Sequence, residues 1–303
     1  LRGARRILAA TAFALAAAVS QAQSIEPRNY SNAPVGVSFA VAGYAYTRGG
    51  IAFDPSLPVD DVNLHTSSTV FAYARTLDLW GKSGKFDVVM PYTWLSGSAT
   101  FAGAPVERVV NGLSDPSARI QVNLYGSPAL ALKEFGAYEQ DLIVGASLQV
   151  FAPLGQYDSA RLVNLSTHRW SFKPEIGISQ AIGELTLEGK AAVTIFTDNR
   201  DFYGGQVRSQ DPIYSVSGHA IYSFRSGRWW SFDATYFGGG RSKLNGSPSN
   251  DLQQNWRLGA TVSLPVDRFN SVKLYASSGV SARTGNNYDL IGIAWQHRWG
   301  GGL

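Results

Sequence analysis

The sequence predicts an all-β protein: a closed antiparallel transmembrane β-barrel of about twelve strands, with long outer loops and short periplasmic turns. Three observations carry that expectation. The N-terminus reads as an export signal. Stretches of about ten residues alternate apolar with small or polar side chains, the pattern of strands with one face to lipid. The links between those stretches alternate long and short, as in barrels inserted from the periplasm.

The export signal comes first. Arg2, Arg5 and Arg6 form a basic region, Ile7 to Val19 is an apolar run, and Ser20-Gln21-Ala22 sets small residues where a signal peptidase reads them. The run is shorter than the about 20 residues a spanning helix needs. A signal peptide over 1–22 is therefore expected, leaving 23–303 as a single barrel domain in the outer membrane of a Gram-negative-type bacterium. The leader holds three of the 26 basic residues and no acidic one, so its removal lowers the net charge from +4 to +1. The high isoelectric point belongs largely to the leader and gives no reason to expect a nucleic-acid partner. Without cysteine, an exported chain has no disulfide framework, thiolate metal site or cysteine nucleophile.

Alternation dominates after Pro34. Ala118, Ile120, Val122 and Leu124 alternate with Ser117, Arg119, Gln121 and Asn123. Leu142, Val144, Ala146, Leu148 and Val150 alternate with Asp141, Gly145, Ser147 and Gln149. Strands are placed near 35–48, 65–80, 85–98, 116–125, 141–152, 169–181, 184–197, 212–224, 228–238, 253–264, 271–282 and 289–299. An even number puts both termini at the periplasmic end. The links 49–64, 99–115, 153–168, 198–211 and 239–252 are long, whereas 81–84, 182–183, 225–227 and 265–270 are short and fall on the other side. Two links fit less well. The periplasmic 126–140 is long, with a candidate short helix at 128–133, and 283–288 is short for an outer loop.

Trp80, Trp94, Trp170, Trp229, Trp230, Trp256, Trp295 and Trp299 fall near strand ends, where interfacial girdles form. Only 16% of residues are charged, too few to solvate a soluble β-protein that size. Two turns set registers. A two-residue turn at Ile182-Gly183 would place Glu175 opposite Lys190, an attractive pair. A three-residue turn at Arg225-Ser226-Gly227 would place His219 opposite Asp233, either a pH-responsive pair or a plain cross-strand hydrogen bond.

Longer motifs carry a family resemblance. They are Gly112-Leu113-Ser114-Asp115-Pro116, Asn123-Leu124-Tyr125-Gly126-Ser127-Pro128-Ala129-Leu130, Phe151-Ala152-Pro153-Leu154-Gly155-Gln156-Tyr157-Asp158, Asn164-Leu165, Arg169-Trp170-Ser171-Phe172-Lys173-Pro174-Glu175 and Trp295-Gln296-His297-Arg298-Trp299-Gly300. Nearly the whole mature chain resembles bacterial transporter-like proteins of the meta-pathway of phenol degradation. The resemblance implies an outer-membrane barrel that passes aromatic or other small hydrophobic compounds, and it assigns no site residues.

Catalytic patterns are missing. His65, His168, His219 and His297 lie far apart, and no nucleophile elbow, phosphate loop or dinucleotide fingerprint occurs. No cofactor or metal is expected, and Asp60-Asp61 and Asp198/Asp201 read as solvated loop acids. Charges on the lumen-facing parity remain: Arg119, Lys173, Glu175, Glu188, Lys190, Asp233, Arg257 and Lys273, with His219 beside them. A charge in mid-strand is costly on the lipid side. They are candidates either for a pore lining or for a mutually neutralising plug. The expected function is a channel for small aromatic or hydrophobic solutes, not an enzyme. A structural or surface-interaction barrel is the alternative, and a barrel lipase ranks lower. Expected partners are outer-membrane lipid, the solute, and periplasmic chaperones and assembly machinery during biogenesis.

Overall fold

The computed structural model describes residues 25–50, 60–101, 103–284 and 287–303, so the expected signal at 1–22 lies outside the described residues. In chain order the barrel wall begins with β1 (Val37–Gly49), β2 (Asp60–Leu79) and β3 (Lys82–Phe101). One interrupted strand follows, made of β4 (Ala104–Leu113) and β5 (Ser117–Tyr125), then β6 (Leu142–Phe151), β7 (Ser171–Ile182) and β8 (Leu185–Phe196). β9 (Asn199–Phe202) and β10 (Gln206–Gln210) leave the wall, and β11 (Ile213–Ser223) and β12 (Trp229–Gly239) rejoin it. After β13 (Ser242–Leu244) and β14 (Ser247–Pro248), the chain completes the wall with β15 (Gln253–Pro265), β16 (Asn270–Ala282) and β17 (Tyr288–Gly300).

Counting β4 and β5 as one, twelve antiparallel strands close the barrel. β1 pairs with β17 along its length, from Val37↔Gly300 to Gly49↔Tyr288. Closure satisfies backbone groups that lipid cannot. The break between β4 and β5 has a local cause. Pro91 on β3 faces Ser114 to Pro116, and neither proline can donate to the ladder. β3 therefore pairs with β4 from Tyr92↔Leu113 outward and with β5 from Val89↔Ser117 inward.

The period of two sorts side chains between lipid and lumen. Phe71, Met90, Ile176, Val216, Phe232 and Ile291 are exposed on the outer face, while the alternate positions are buried inside. Trp80, Trp94, Trp170, Trp256, Trp295 and Trp299 are exposed and Trp230 is half-buried, but Trp229 is only 1% exposed. Trp229 points into the lumen because adjacent residues on a strand face opposite ways, which corrects the expectation that all eight tryptophans serve the girdle.

Links follow the expected alternation, and both termini of the barrel lie at the end that carries the short turns. The three-residue turn holds. Gly227 has φ +83, and His219 sits opposite Asp233. The two-residue turn is Gly183-Glu184 rather than Ile182-Gly183, so Glu175 faces Ala192 and Lys190 faces Gly177. The reason is steric: glycine takes the positive φ of the first turn position at +62, where β-branched Ile182 would be strained. The periplasmic helix is α1 (Leu132–Phe135), not 128–133. Pro128 bridges Lys82, the Ala129 amide donates to the Gly81 carbonyl and Leu130 accepts from the Val35 amide, so the backbone stays extended there. Outside the wall, β9, β10, β13 and β14 turn parts of the links 198–211 and 239–252 into a four-stranded sheet, and most of 99–115 extends the β3–β4 hairpin.

Because the chain has no cysteine, closure can be read directly. Ala40 and His297 are exposed partners across β1 and β17. An Ala40→Cys/His297→Cys variant should form an intramolecular disulfide on mild oxidation and migrate as a compact barrel in unheated gels. Failure to cross-link would show an open seam.

Candidate functional site

The lumen is occupied by the chain itself. Residues 25–36 precede β1, enter the barrel from the periplasmic end and touch strands all round its circumference. Glu26 pairs with Arg119 on β5, and Arg119 Nε donates to Asp87 Oδ2 on β3 at 3.0 Å. Lys190 Nζ on β8 donates to the Glu26 carbonyl at 3.1 Å, and the Arg28 amide donates to Glu188 Oε2 at 2.7 Å. Asn29 Nδ2 and the Tyr30 hydroxyl both donate to Glu175 Oε1 on β7, at 3.3 and 3.1 Å. Lys85 Nζ reaches the Asn29 carbonyl at 3.1 Å and its Oδ1 at 3.0 Å. On the far wall the Arg28 guanidinium lies 5.5 Å over the ring of Trp229.

Inward glycines make room for this segment. A Cβ on Gly145 would come within 2.4 Å of the Tyr30 ring, one on Gly177 within 2.1 Å, and one on Gly259 within 2.7 Å of Ile25. A phenol ring thus fills space left by the missing side chains of β6 and β7.

All nine candidate residues are buried on the inward face. Arg119, Glu175, Glu188 and Lys190 hold the N-terminal segment directly, and Lys173 Nζ lies 3.8 Å from Glu175. His219 Nδ1 is 2.7 Å from Asp233 Oδ1, and Ser231 donates to the other Asp233 oxygen at 3.0 Å. Lys273 Nζ sits 5.7 Å over Trp229. Arg257 stands apart, nearer the outer end, stacked 3.9 Å over Tyr288 and donating to the Ser277 hydroxyl. Sequence reading missed Glu26, Lys85 and Asp87. Lys85 and Asp87 were visible as alternating charges at the start of β3, whereas residues 25–33 have no periodicity to mark them. Only the inward glycines hinted that something else fills that space.

A second layer closes the outer mouth. The link 152–170 folds in over the β4–β5 break. The amides of Gly155 and Thr167 donate to Asp115 at 3.2 and 2.9 Å, the Gln156 amide donates to the Leu113 carbonyl at 2.7 Å, and the Ala152 amide to that of Pro116 at 2.9 Å. Two motifs distant in sequence, 112–116 and 151–158, therefore meet in space. Folding in this way packs Val163 and Leu165 against Leu64, Leu95 and Phe202. Below that cluster one inner wall stays apolar: Val41, Ala45, Val70, Val89, Leu290 and Ala294 cluster on β1, β2, β3 and β17, and Val37, Phe39 and Ala74 follow at the periplasmic end. Buried hydroxyls at Thr47–Thr66 and Ser68–Thr93 punctuate the stripe. Buried charges occupy the rest of the wall, from Lys85 and Asp87 on β3 round to Lys273 on β16.

Fold and lumen together define a twelve-stranded β-barrel of the outer-membrane type whose interior is spanned by its own N-terminal segment. The chain belongs to the family described as MetA-pathway of phenol degradation, whose model matches residues 38–296 and so begins after that segment. Among solved structures, the fold is similar to an outer membrane channel from Pseudomonas putida F1, with TM-score 0.75 and 15% identity over 91% of this chain and 100% of that one. It is also similar to the transport unit of the autotransporter AIDA-I from Escherichia coli, with TM-score 0.51 and 8% identity over 98% of this chain and 97% of that one. No curated protein sequence matches the chain.

Two substitutions test the seat. Gly177→Leu should expel Tyr30, so that Ile25→Cys, protected in the parent barrel, reacts with a water-soluble maleimide about tenfold faster or more; unchanged protection would place the segment elsewhere. Arg119→Ala removes the guanidinium that bonds both Glu26 and Asp87 and should lower stability by about 3 kcal/mol, read from urea unfolding in phospholipid vesicles. Removing Glu26 and Asp87 as well should recover part of that loss.

Proposed function

We propose that this protein is an outer-membrane channel for small aromatic or hydrophobic solutes. The observation that carries this reading is the apolar stripe that runs down one inner wall beneath an apolar outer mouth. A water-filled pore for sugars or ions has a polar interior, and nothing in barrel closure requires Val70, Val89 and Leu290 to face inward. A weakly hydrated wall favours solutes that lose little on leaving water. The buried charged residues Arg119, Lys173, Glu175, Glu188, Lys190, His219, Asp233 and Lys273 have a different part in this reading. Arg119, Glu175, Glu188 and Lys190 seat the N-terminal segment, and the others crowd the lumen around it. Together they keep the resting lumen shut to ions, while Arg257 lines the path nearer the outer mouth. Both signs are neutralised within this network, so strong ion selectivity is not expected.

The seated segment also favours a second reading, a barrel without transport whose outer sheet of β9, β10, β13 and β14 is the working part. Uptake separates the two. Cells with an intact lipopolysaccharide leaflet should take up a labelled aromatic alcohol severalfold faster when they carry the protein, with arabinose uptake unchanged. Val70→Thr with Val89→Thr, which keeps volume but adds hydroxyls, should slow the aromatic solute without unfolding the barrel. Equal acceleration of both solutes would indicate a general pore, and acceleration of neither would favour the surface reading.

A further inference from the structure

The outer mouth holds a cavity of about 110 Å³ between the β3–β4 hairpin and the folded-in link 152–170. Its chemistry is divided. Phe101 and Tyr203 meet edge to face, with ring centroids 5.7 Å apart, and Leu162 and Val163 lie across from them. Arg108 and Arg161 line the same space. Arg108 Nε donates to the Val163 carbonyl at 3.0 Å, which fixes the guanidinium plane, and its terminal nitrogens have no hydrogen-bond partner among the described residues. The Arg161 guanidinium likewise makes no hydrogen bond among them and is exposed. Glu107 reaches the rim but belongs to the outward parity of β4, with exposed Val109 and Leu113.

We infer that this cavity is a capture site for a small aromatic monocarboxylate, with the ring against Phe101, Tyr203, Leu162 and Val163 and the carboxylate on Arg108 and Arg161. This rests on the reading of the barrel as a channel for small aromatic solutes and deepens it by naming an acid as the solute class. Size limits the ring. A closed apolar cavity of roughly 150 Å³ holds benzene, so this cavity of about 110 Å³, open at its rim, takes no more than one ring and leaves the charged group to project at the rim. Charge sets the rest. A planar carboxylate matches the guanidinium fork, and charge-assisted hydrogen bonds are about twice as strong as neutral ones. Burial, and then the like charge of Arg161, push the Arg108 pKa below its ordinary value, against an opposing pull from Asp158. Both guanidiniums stay charged, and a bound anion would relieve their repulsion.

Binding is best measured on the intact mature barrel in detergent, by fluorine NMR with 4-fluorobenzoate, 4-fluorotoluene and fluoroacetate as probes. 4-Fluorobenzoate should bind about tenfold tighter than either of the others, because it alone satisfies both halves of the cavity. Arg161→Gln, at an exposed side chain with no structural bond, should weaken 4-fluorobenzoate several-fold and leave 4-fluorotoluene unchanged. Arg108→Gln should do the same more strongly, with heat-modifiable gel mobility confirming a folded barrel. Leu162→Trp should fill the cavity and abolish binding of both aromatic probes. Equal affinity for 4-fluorobenzoate and 4-fluorotoluene, or no response to Arg161→Gln, overturns the inference. The two readings fail separately: uptake of aromatic solutes without this binding sinks the capture site alone, and binding without uptake sinks the channel alone.

Discussion

The pairing of β1 with β17 is the constraint on which the rest of the molecule depends. A sheet that crosses hydrocarbon cannot leave an edge, because each unpaired amide or carbonyl there costs several kcal/mol. Closing the ring fixes an inside and an outside, and the strand period of two then decides which every residue meets. Phe71, Ile176 and Phe232 can be exposed only because lipid is their solvent. Charges in mid-strand are driven inward, while Arg48, Arg75 and Asp289 stay exposed towards strand ends, so a narrow barrel accumulates buried ions whether or not they are useful.

Those ions set the second level of organisation. Arg119 lies between Asp87 and Glu26, and Glu175 accepts from Asn29 and Tyr30 while lying near Lys173. Breaking a buried pair costs far more than a surface one, since the remaining partner keeps its desolvation penalty. Part of the compensation comes from outside the wall, from a dozen residues ahead of β1 that supply Glu26 and several backbone carbonyls. The segment therefore both obstructs the lumen and forms a structural component of the barrel.

The outer mouth obeys the same logic in reverse. Pro91 and Pro116 deny the wall two backbone donors, and Asp115 lies in the resulting break with oxygens to satisfy. The link 152–170 answers with the amides of Gly155 and Thr167. Gly155 is required because a Cβ there would lie 2.8 Å from the Leu113 carbonyl. The docked link carries Leu162, Val163 and Leu165 into the mouth, so a repair of backbone bonding also builds the apolar vestibule. Two of the sequence motifs, 112–116 and 151–158, are the two halves of that repair.

Much of the fold was legible without coordinates. Alternation placed the strands, the even number placed the termini, and the Gly227 turn placed His219 against Asp233, because each depends on local geometry and a two-residue period. The register of β7 on β8 differs by two residues from the one an Ile182-Gly183 turn implies, because β-branched Ile182 cannot comfortably take the positive φ that Gly183 takes. Trp229 and Trp230 show the same rule, adjacent in sequence and on opposite faces. What local pattern did not determine lies where the chain leaves the wall. Residues 25–33 have no period, so nothing in their spacing says that they enter the lumen, and only contacts from β3, β5, β7 and β8 put them there. The outer cavity likewise exists only because β2, β3, β4 and two distant links converge. Sequence by itself determined which face each strand residue meets, because that follows from backbone geometry; tertiary structure decided what fills the space inside, because that depends on which distant groups can neutralise buried charge and fit the gaps left by Gly145 and Gly177.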